Sequence, residues 1–206
     1  MKTILQKDAD ITDIAKELRK GKTIVYPTET CYGLGCDGTN QHAVDTIFRI
    51  KKRQTDKPLL VIMANIAMAQ EYVVWSDVLE NIAHKFWPGP LTVVADLAHE
   101  NGLADGVKSR NNTLAFRITD HPFAASLSEE LGAPLVATSA NISSMESPYD
   151  IAHAHTMFDS QQVQPDIIID AGDLPHKIGS TIVSVQENTL QVLRQGDVII
   201  KKSDIL

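Results

Sequence analysis

Four cations and a few hydroxyl and amide side chains carry the chemical interest of this sequence. Lys51 and Arg53 stand one residue apart, Ser139 and Asn141 repeat that spacing, and Arg117 interrupts the apolar run from Thr113 to Ile118. Thr30, Ser180, Thr181 and Arg194 join them because all fall near the ends of predicted strands or helices. A guanidinium in an otherwise apolar strand demands an anionic partner, since an unpaired buried charge is too costly to keep. The duller readings are equally physical. Lys51 to Arg53 suit the C-terminal dipole of a helix, and Ser139 and Asn141 suit a turn that bonds its own backbone. No GxSxG elbow is present, which argues against a serine hydrolase. His153 and His155 project to different faces of a predicted helix and read as surface residues, not metal ligands.

The stretch YPTETCYGLGCDG, residues 26–38, holds Gly33, Gly35 and Gly38 in the spacing of a dinucleotide fingerprint. In such a fingerprint the strand runs straight into the first glycine, and an acidic residue ends a second strand about 20 positions later. Here six residues separate the strand from Gly33, and Asp56 follows a polar stretch. A P-loop fails too, because Gly21-Lys22-Thr23 would need glycine where Lys16 stands. On the residues alone, the glycines let the backbone turn tightly.

The elements that must position these groups are constrained by composition. A chain of 206 residues suits one domain, spanning 1–206. Its 2 cysteines, Cys31 and Cys36, have no second pair to complete a zinc set, so they read as free thiols in a reducing compartment. The N-terminus has no apolar leader, and no run approaches the roughly 20 apolar residues of a membrane span, so a soluble cytoplasmic protein without membrane contact is expected. The net charge of -7 opposes non-specific gripping of nucleic acid, so any basic site must be local.

Periodicity predicts helices after Asp10, after Asn40, near 66–72 and 76–86, and over 121–131 and 148–157. Strands are predicted at 23–26, 58–63, 91–96, 113–118, 134–138, 166–170, 180–185 and 190–194, the last two forming a hairpin around Glu187-Asn188-Thr189. The fold expected is α/β, one twisted mixed sheet flanked by helices. Ligands of open α/β sheets lie beyond strand ends, so the singled-out residues are candidates for one concavity.

YPTETCYGLGCD at 26–37, Lys51 and Arg53 with Lys57-Pro58-Leu59, WPGPLT at 87–92, and Ala115-Phe116-Arg117 with Asp120-His121-Pro122 occur in the order and spacing of a known family. ATSANIS at 137–143, Ser180-Thr181-Ile182-Val183 and Arg194-Gln195-Gly196 continue the match. The chain resembles the YrdC-like threonylcarbamoyl-AMP synthases. That resemblance implies a YrdC/RibB-like domain around a large basic cavity, and an enzyme that joins L-threonine, bicarbonate and ATP into threonylcarbamoyl-AMP with loss of pyrophosphate. It also implies a partner, the transferase complex that passes the group to adenosine 37 of tRNAs. By resemblance Thr30, Arg117, Ala137 and Ser180 are threonine contacts, while Arg53, Lys57, Thr113, Ser139, Ser147 and Arg194 are ATP contacts. Lys51 and Asn141 complete the KxR and SxN pairs, giving a catalytic set of Lys51, Arg53, Ser139 and Asn141. Mg2+ is expected to be held mainly by ATP phosphates and water, since no carboxylate cluster marks a protein-built cage.

The sequence departs from the family in three places. Ile62 replaces a histidine that helps hold threonine in many members; Ser144 replaces the glycine of SANxSG; and the sequence stops at Leu206, where longer relatives add a linker and second domain. If position 144 needs positive φ, serine costs about 1 kcal/mol there. Two alternatives are a YciO-like paralogue with altered activity and an RNA-binding module. Intact KxR and SAN elements count against the first, and acidity without interleaved aromatics against the second.

Overall fold

The computed structural model describes residues 1–99 and 102–201. Side-chain caps start most of its helices. Asp10, Asn40, Asn65 and Ser76 each accept a bond from the backbone N–H three residues on, opening α1 (Ile11–Arg19), α2 (Gln41–Lys51), α3 (Ile66–Tyr72) and α4 (Asp77–Phe86). α5 (Pro122–Leu131) starts on proline, whose fixed φ suits a first turn, and stops at Gly132 with φ +69°. Asp150 caps α6 (Ile151–Asp159), three residues later than the sequence predicted. Each cap satisfies an N–H that the helix cannot, worth about 1 kcal/mol.

The strands form two mixed sheets where the sequence predicted one. The first runs β1 (Lys2–Leu5), β9 (Ile167–Asp170), β2 (Ile24–Pro27), β3 (Tyr32–Gly35) and β8 (Thr138–Ser139). The second runs β11 (Thr189–Arg194), β10 (Thr181–Gln186), β5 (Leu91–Asp96), β6 (Thr113–Ile118), β4 (Val61–Met63) and β7 (Leu135–Val136). The predicted strand at 134–138 is where the sheets part. Its first half pairs with β4, its second half with β3, and between them the Ala137 N–H donates to Leu60 O at 2.8 Å. The predicted hairpin turn forms with Glu187 at φ +49° and Asn188 at φ +57°, the left-handed pair that matches strand twist.

β1 and β3 escaped the sequence reading. β3 carries two glycines in four residues, a composition that weakens a strand locally. The glycines serve close approach, not a turn: a Cβ on Gly35 would lie 2.1 Å from Val136 O and 2.8 Å from Tyr26 Cε1.

Two apolar clusters hold the layers. One packs α2 and α4 against the second sheet through Val44, Ile47, Leu79, Ile82, Val93, Phe116 and Val183. The other packs α1 and α5 through Leu18, Phe123 and Leu127 onto Ile24, Tyr26, Ile62 and Leu135. Strand alternation then does the remaining work. Leu91, Val93, Leu114, Phe116 and Val183 enter the first cluster, so Thr92, Val94, Ala115, Arg117 and Ile182 face the other way.

Candidate active site

That other face lines a cavity of about 420 Å³ between the two sheets. Its opposite wall is Gly33 of β3, Thr138 and Ser139 of β8, and the connection carrying Thr28, Thr30 and Cys31. Its rim is built from Arg53, Ser147, Tyr149, Lys177, Gly179 and Arg194. No aspartate or glutamate appears among the lining residues, whereas Arg53, Arg117, Lys177 and Arg194 do. Three guanidinium groups from distant segments thus share one void.

Arg117 is held from beneath. Its Nε lies 2.7 Å from Glu29 Oε1, with the two side chains 6% and 5% exposed, so the sequence's demand for an anionic partner is met by an acid in the β2–β3 connection. The N–H does not point along that contact, leaving both atoms without a directed hydrogen bond. Glu29 Oε2 accepts from Thr119 Oγ1 at 2.7 Å. Next to Glu29, Thr28 ties the turn: its hydroxyl donates to Cys31 O at 2.7 Å and so accepts from the backbone N–H of Thr30. The Thr30 hydroxyl, 3.0 Å from Thr28 Oγ1, is then the donor of that pair. Burial pushes the Cys31 thiol up, against the pull of Arg117, and keeps it protonated at neutral pH.

Arg53 and Arg194 are held differently. Arg53 donates through Nε to Lys57 O at 3.1 Å and through Nη2 to Pro58 O at 3.2 Å. Arg194 donates from Nε and Nη2 to Ser180 O, while Ser180 Oγ meets Thr92 Oγ1 at 2.9 Å. Burial lowers both guanidinium pKa values, with the Arg117 charge adding to the effect on Arg194.

Lys51 is 2% exposed and does not line the cavity. Its ammonium donates to Ser139 O, to Asn141 O at 2.9 Å and to Asn141 Oδ1 at 3.0 Å. Burial, and behind it the Arg53 charge, draws its pKa down to about 7, while three oxygen acceptors favour the ammonium. Asn141 also accepts from Ser139 Oγ at 2.6 Å and donates to Met145 O. The two residues therefore fold the loop that presents Ser139 and Ser147.

Of the residues singled out in the sequence, Thr30, Arg53, Arg117, Ala137, Ser139, Ser147, Ser180 and Arg194 line the one cavity. Lys51 and Asn141 lie behind its wall, and Lys57 contributes a backbone carbonyl to Arg53. Thr113 lies outside the lining; its hydroxyl meets Ser109 Oγ at 2.7 Å. Ile62 is fully buried and in register with Arg117, an apolar neighbour where many relatives are expected to carry histidine. Ser144 does adopt positive φ, +75°. The sequence reading missed Glu29, Tyr149 and Lys177. Tyr149 stacks on His176 at 4.1 Å and donates to Lys177 O, joining two rim segments. Only Glu29 carried a signal, the need of Arg117 for an anion.

A family model described as Telomere recombination, covering Sua5, YciO and YrdC, matches residues 16–196. Threonylcarbamoyl-AMP synthase of Bacillus subtilis is 32% identical over 192 residues, 93% of this chain and 54% of that protein. The synthase of Vibrio vulnificus is 37% identical over 139 residues, 66% of this chain and 73% of its own. Among solved structures, P. abyssi Sua5 complexed with L-threonine superposes with a TM-score of 0.84 at 31% identity, covering 95% of this chain and 57% of that one. E. coli YciO shares the fold, with a TM-score of 0.81 at 23% identity over 100% of this chain and 98% of that chain. The chain thus spans little more than half the length of the Bacillus and P. abyssi relatives. With the match running through both sheets and every wall of the cavity, the chain belongs to the Sua5/YciO/YrdC family.

Proposed function

We propose that this chain is a nucleotidyltransferase that makes L-threonylcarbamoyladenylate from L-threonine, bicarbonate and ATP, releasing pyrophosphate. The observation that carries the reading is a single cavity lined by Arg53, Arg117, Lys177 and Arg194, with hydroxyl groups of Thr30, Ser139, Ser147 and Ser180 and no carboxylate. Its 420 Å³ falls within the range of about 300–1,000 Å³ usual for small-molecule sites.

The reaction asks little of a side chain in proton transfer. The threonine amine adds to bicarbonate carbon with loss of water to give a carbamate. A carbamate oxygen then attacks the α-phosphorus of ATP, and the bond to the β-phosphate oxygen breaks to release pyrophosphate. What the protein must supply is alignment of three reactants and fixed positive charge facing the triphosphate. Arg53 and Arg194 suit the phosphates because their forks are anchored to carbonyl oxygens, which hold the guanidinium without a full negative charge in contact. Arg117, which shares the cavity lining with Thr30 and Ser180, suits the carboxylate of the amino acid. Mg2+ would enter with the nucleotide, held mainly by its phosphates and water. The product is an activated acyl donor for a tRNA-modifying transferase in the cytoplasm. Among the described residues, no helix is long and apolar enough to cross a membrane.

The test is pyrophosphate release by purified protein given ATP, bicarbonate and single amino acids. Release requiring both threonine and bicarbonate is expected. ATP left untouched while structured RNA binds tightly at physiological salt would overturn the reading.

A further inference from the structure

The buried acid beneath Arg117 has no part in the chemistry above and no direct line to the cavity. The Glu29 side chain is 5% exposed, in a short connection where acids ordinarily face water. Burying a carboxylate against a guanidinium commonly gains no stability over apolar packing, so the pair calls for another cause. Its geometry is also unfinished, because Glu29 Oε1 and Arg117 Nε meet at 2.7 Å without a directed hydrogen bond. The support behind it is directional: His121 N–H donates to Thr119 Oγ1, and that hydroxyl donates to Glu29 Oε2. The N-cap of α5 therefore fixes the carboxylate, and the carboxylate fixes the guanidinium from its Nε side. Nη1 and Nη2 are left as the edge available to a ligand, since Arg117 lines the cavity.

We propose that Glu29 is the positioning residue of the amino-acid subsite: it holds Arg117 from the Nε side, so that the far edge of the guanidinium is set for one α-carboxylate. This rests on the reading of the cavity as a threonine and ATP site. Thr119 is the second positioning residue, acting through Glu29.

The experiment compares E29Q, E29D and T119V with wild type in KM for threonine, KM for ATP and melting temperature. E29Q is expected to raise the threonine KM at least about tenfold with the ATP KM within about twofold, because a guanidinium no longer held from its Nε side is misaligned for the carboxylate. E29D should recover part of the loss, and T119V, which keeps the charge, should show a smaller rise of the same kind. A purely structural acid would lower the melting temperature and leave both KM values alone, or raise them together; either result overturns the proposal. Should E29Q fail to fold, T119V decides by the same split. Wild type that releases pyrophosphate beside an unchanged threonine KM in the variants removes the role of Glu29 and leaves the reaction standing. If wild type shows no threonine-dependent release, the reaction is lost, and calorimetric binding of threonine to wild type and E29Q decides the role of Glu29: weakening by about tenfold supports it, equal or absent binding overturns it.

Discussion

Two regions of the cavity lining use the same side chain in different ways. Arg117 rests on a buried carboxylate, although its charge is still felt at Arg194. Arg53 and Arg194 rest on the carbonyl oxygens of Lys57, Pro58 and Ser180, which fix the guanidinium without an acid in contact, although the Asp56 charge is felt at Arg53. A carbonyl anchor preserves the field that a polyanion needs. A carboxylate anchor gives up field for orientation, which is enough for a ligand with one negative charge. The contrast teaches that a count of cations around a site says less than what stands behind each one.

The sharpest way to break the contrast is Arg53→Ala. Because Arg53 is tied only to backbone carbonyls, the fold should survive and the loss should fall on the nucleotide half. We expect kcat/KM for ATP to drop about 100- to 1,000-fold, the usual loss for a preorganised donor facing developing charge. The threonine KM should change little, and steady-state pyrophosphate release at varied ATP and varied threonine separates the two. Equal rises in both KM values would mean that the cavity has no electrostatic halves.

Lys51→Met probes the wall behind the nucleotide half. It leaves Asn141 O without the ammonium, while Ser139 O keeps the Asn141 N–H and Asn141 Oδ1 keeps the Ser139 hydroxyl, and the orphaned acceptor should cost about 1–3 kcal/mol of stability in urea unfolding. The ATP KM should rise more than the threonine KM, since the loop that loosens carries Ser139 and Ser147. Retained stability would show that the ammonium is dispensable to the loop.

Ser144→Gly should sharpen the same loop. Ser144 sits at φ +75°, where glycine carries no Cβ penalty, so the change should stabilise by about 1 kcal/mol, less what the freer unfolded chain takes back. Unfolding midpoints of the two proteins at equal slope measure it.

Much of this arrangement was legible in the sequence, and the gaps have physical causes. Lys51 falls on the same helical stripe as Val44, Ile47 and Phe48, so its inward direction was visible, although its charge suggested a solvated helix end. Arg117 announced its need for an anion, but nothing local marks Glu29, because a four-residue connection has no periodicity to read. The split into two sheets was illegible for a related reason. β9 pairs with both β1 and β2, and 135–139 changes sheets at Ala137; such long-range choices are settled by which backbone edges remain unpaired, not by residue type. β3 was hidden by Gly33 and Gly35, whose value lies in the absence of a side chain and thus in what must pass close by.

The smallest effect comes from the exposed counterpart of the buried pair. Asp166 meets Lys22 Nζ at 2.9 Å and accepts from the N–H and hydroxyl of Thr23, at the start of β2, whose other end leads to Glu29, with side chains 34% and 48% exposed for Asp166 and Lys22. Burial raises its carboxyl pKa, but the Thr23 backbone bond, the Lys22 bond and the Thr23 hydroxyl outweigh it, and the net shift is downward. A carboxyl depressed in the folded state stabilises above the ordinary carboxylate range and loses that contribution as pH falls through its folded value. Asp166→Asn should therefore cost less than about 1 kcal/mol at neutral pH, after solvent screening, and the gap to wild type should close as the solution is acidified below pH ~4. Added salt should narrow it as well, because the Lys22 contact is open to counterions. Glu29→Gln, by contrast, should keep more of its effect on threonine binding in high salt, since a pair whose side chains are 5% and 6% exposed is screened less than a surface pair. Equal salt sensitivity of the two variants would mean that solvent reaches the floor of the cavity, and the division between an acid-backed and a carbonyl-backed end would lose its physical basis.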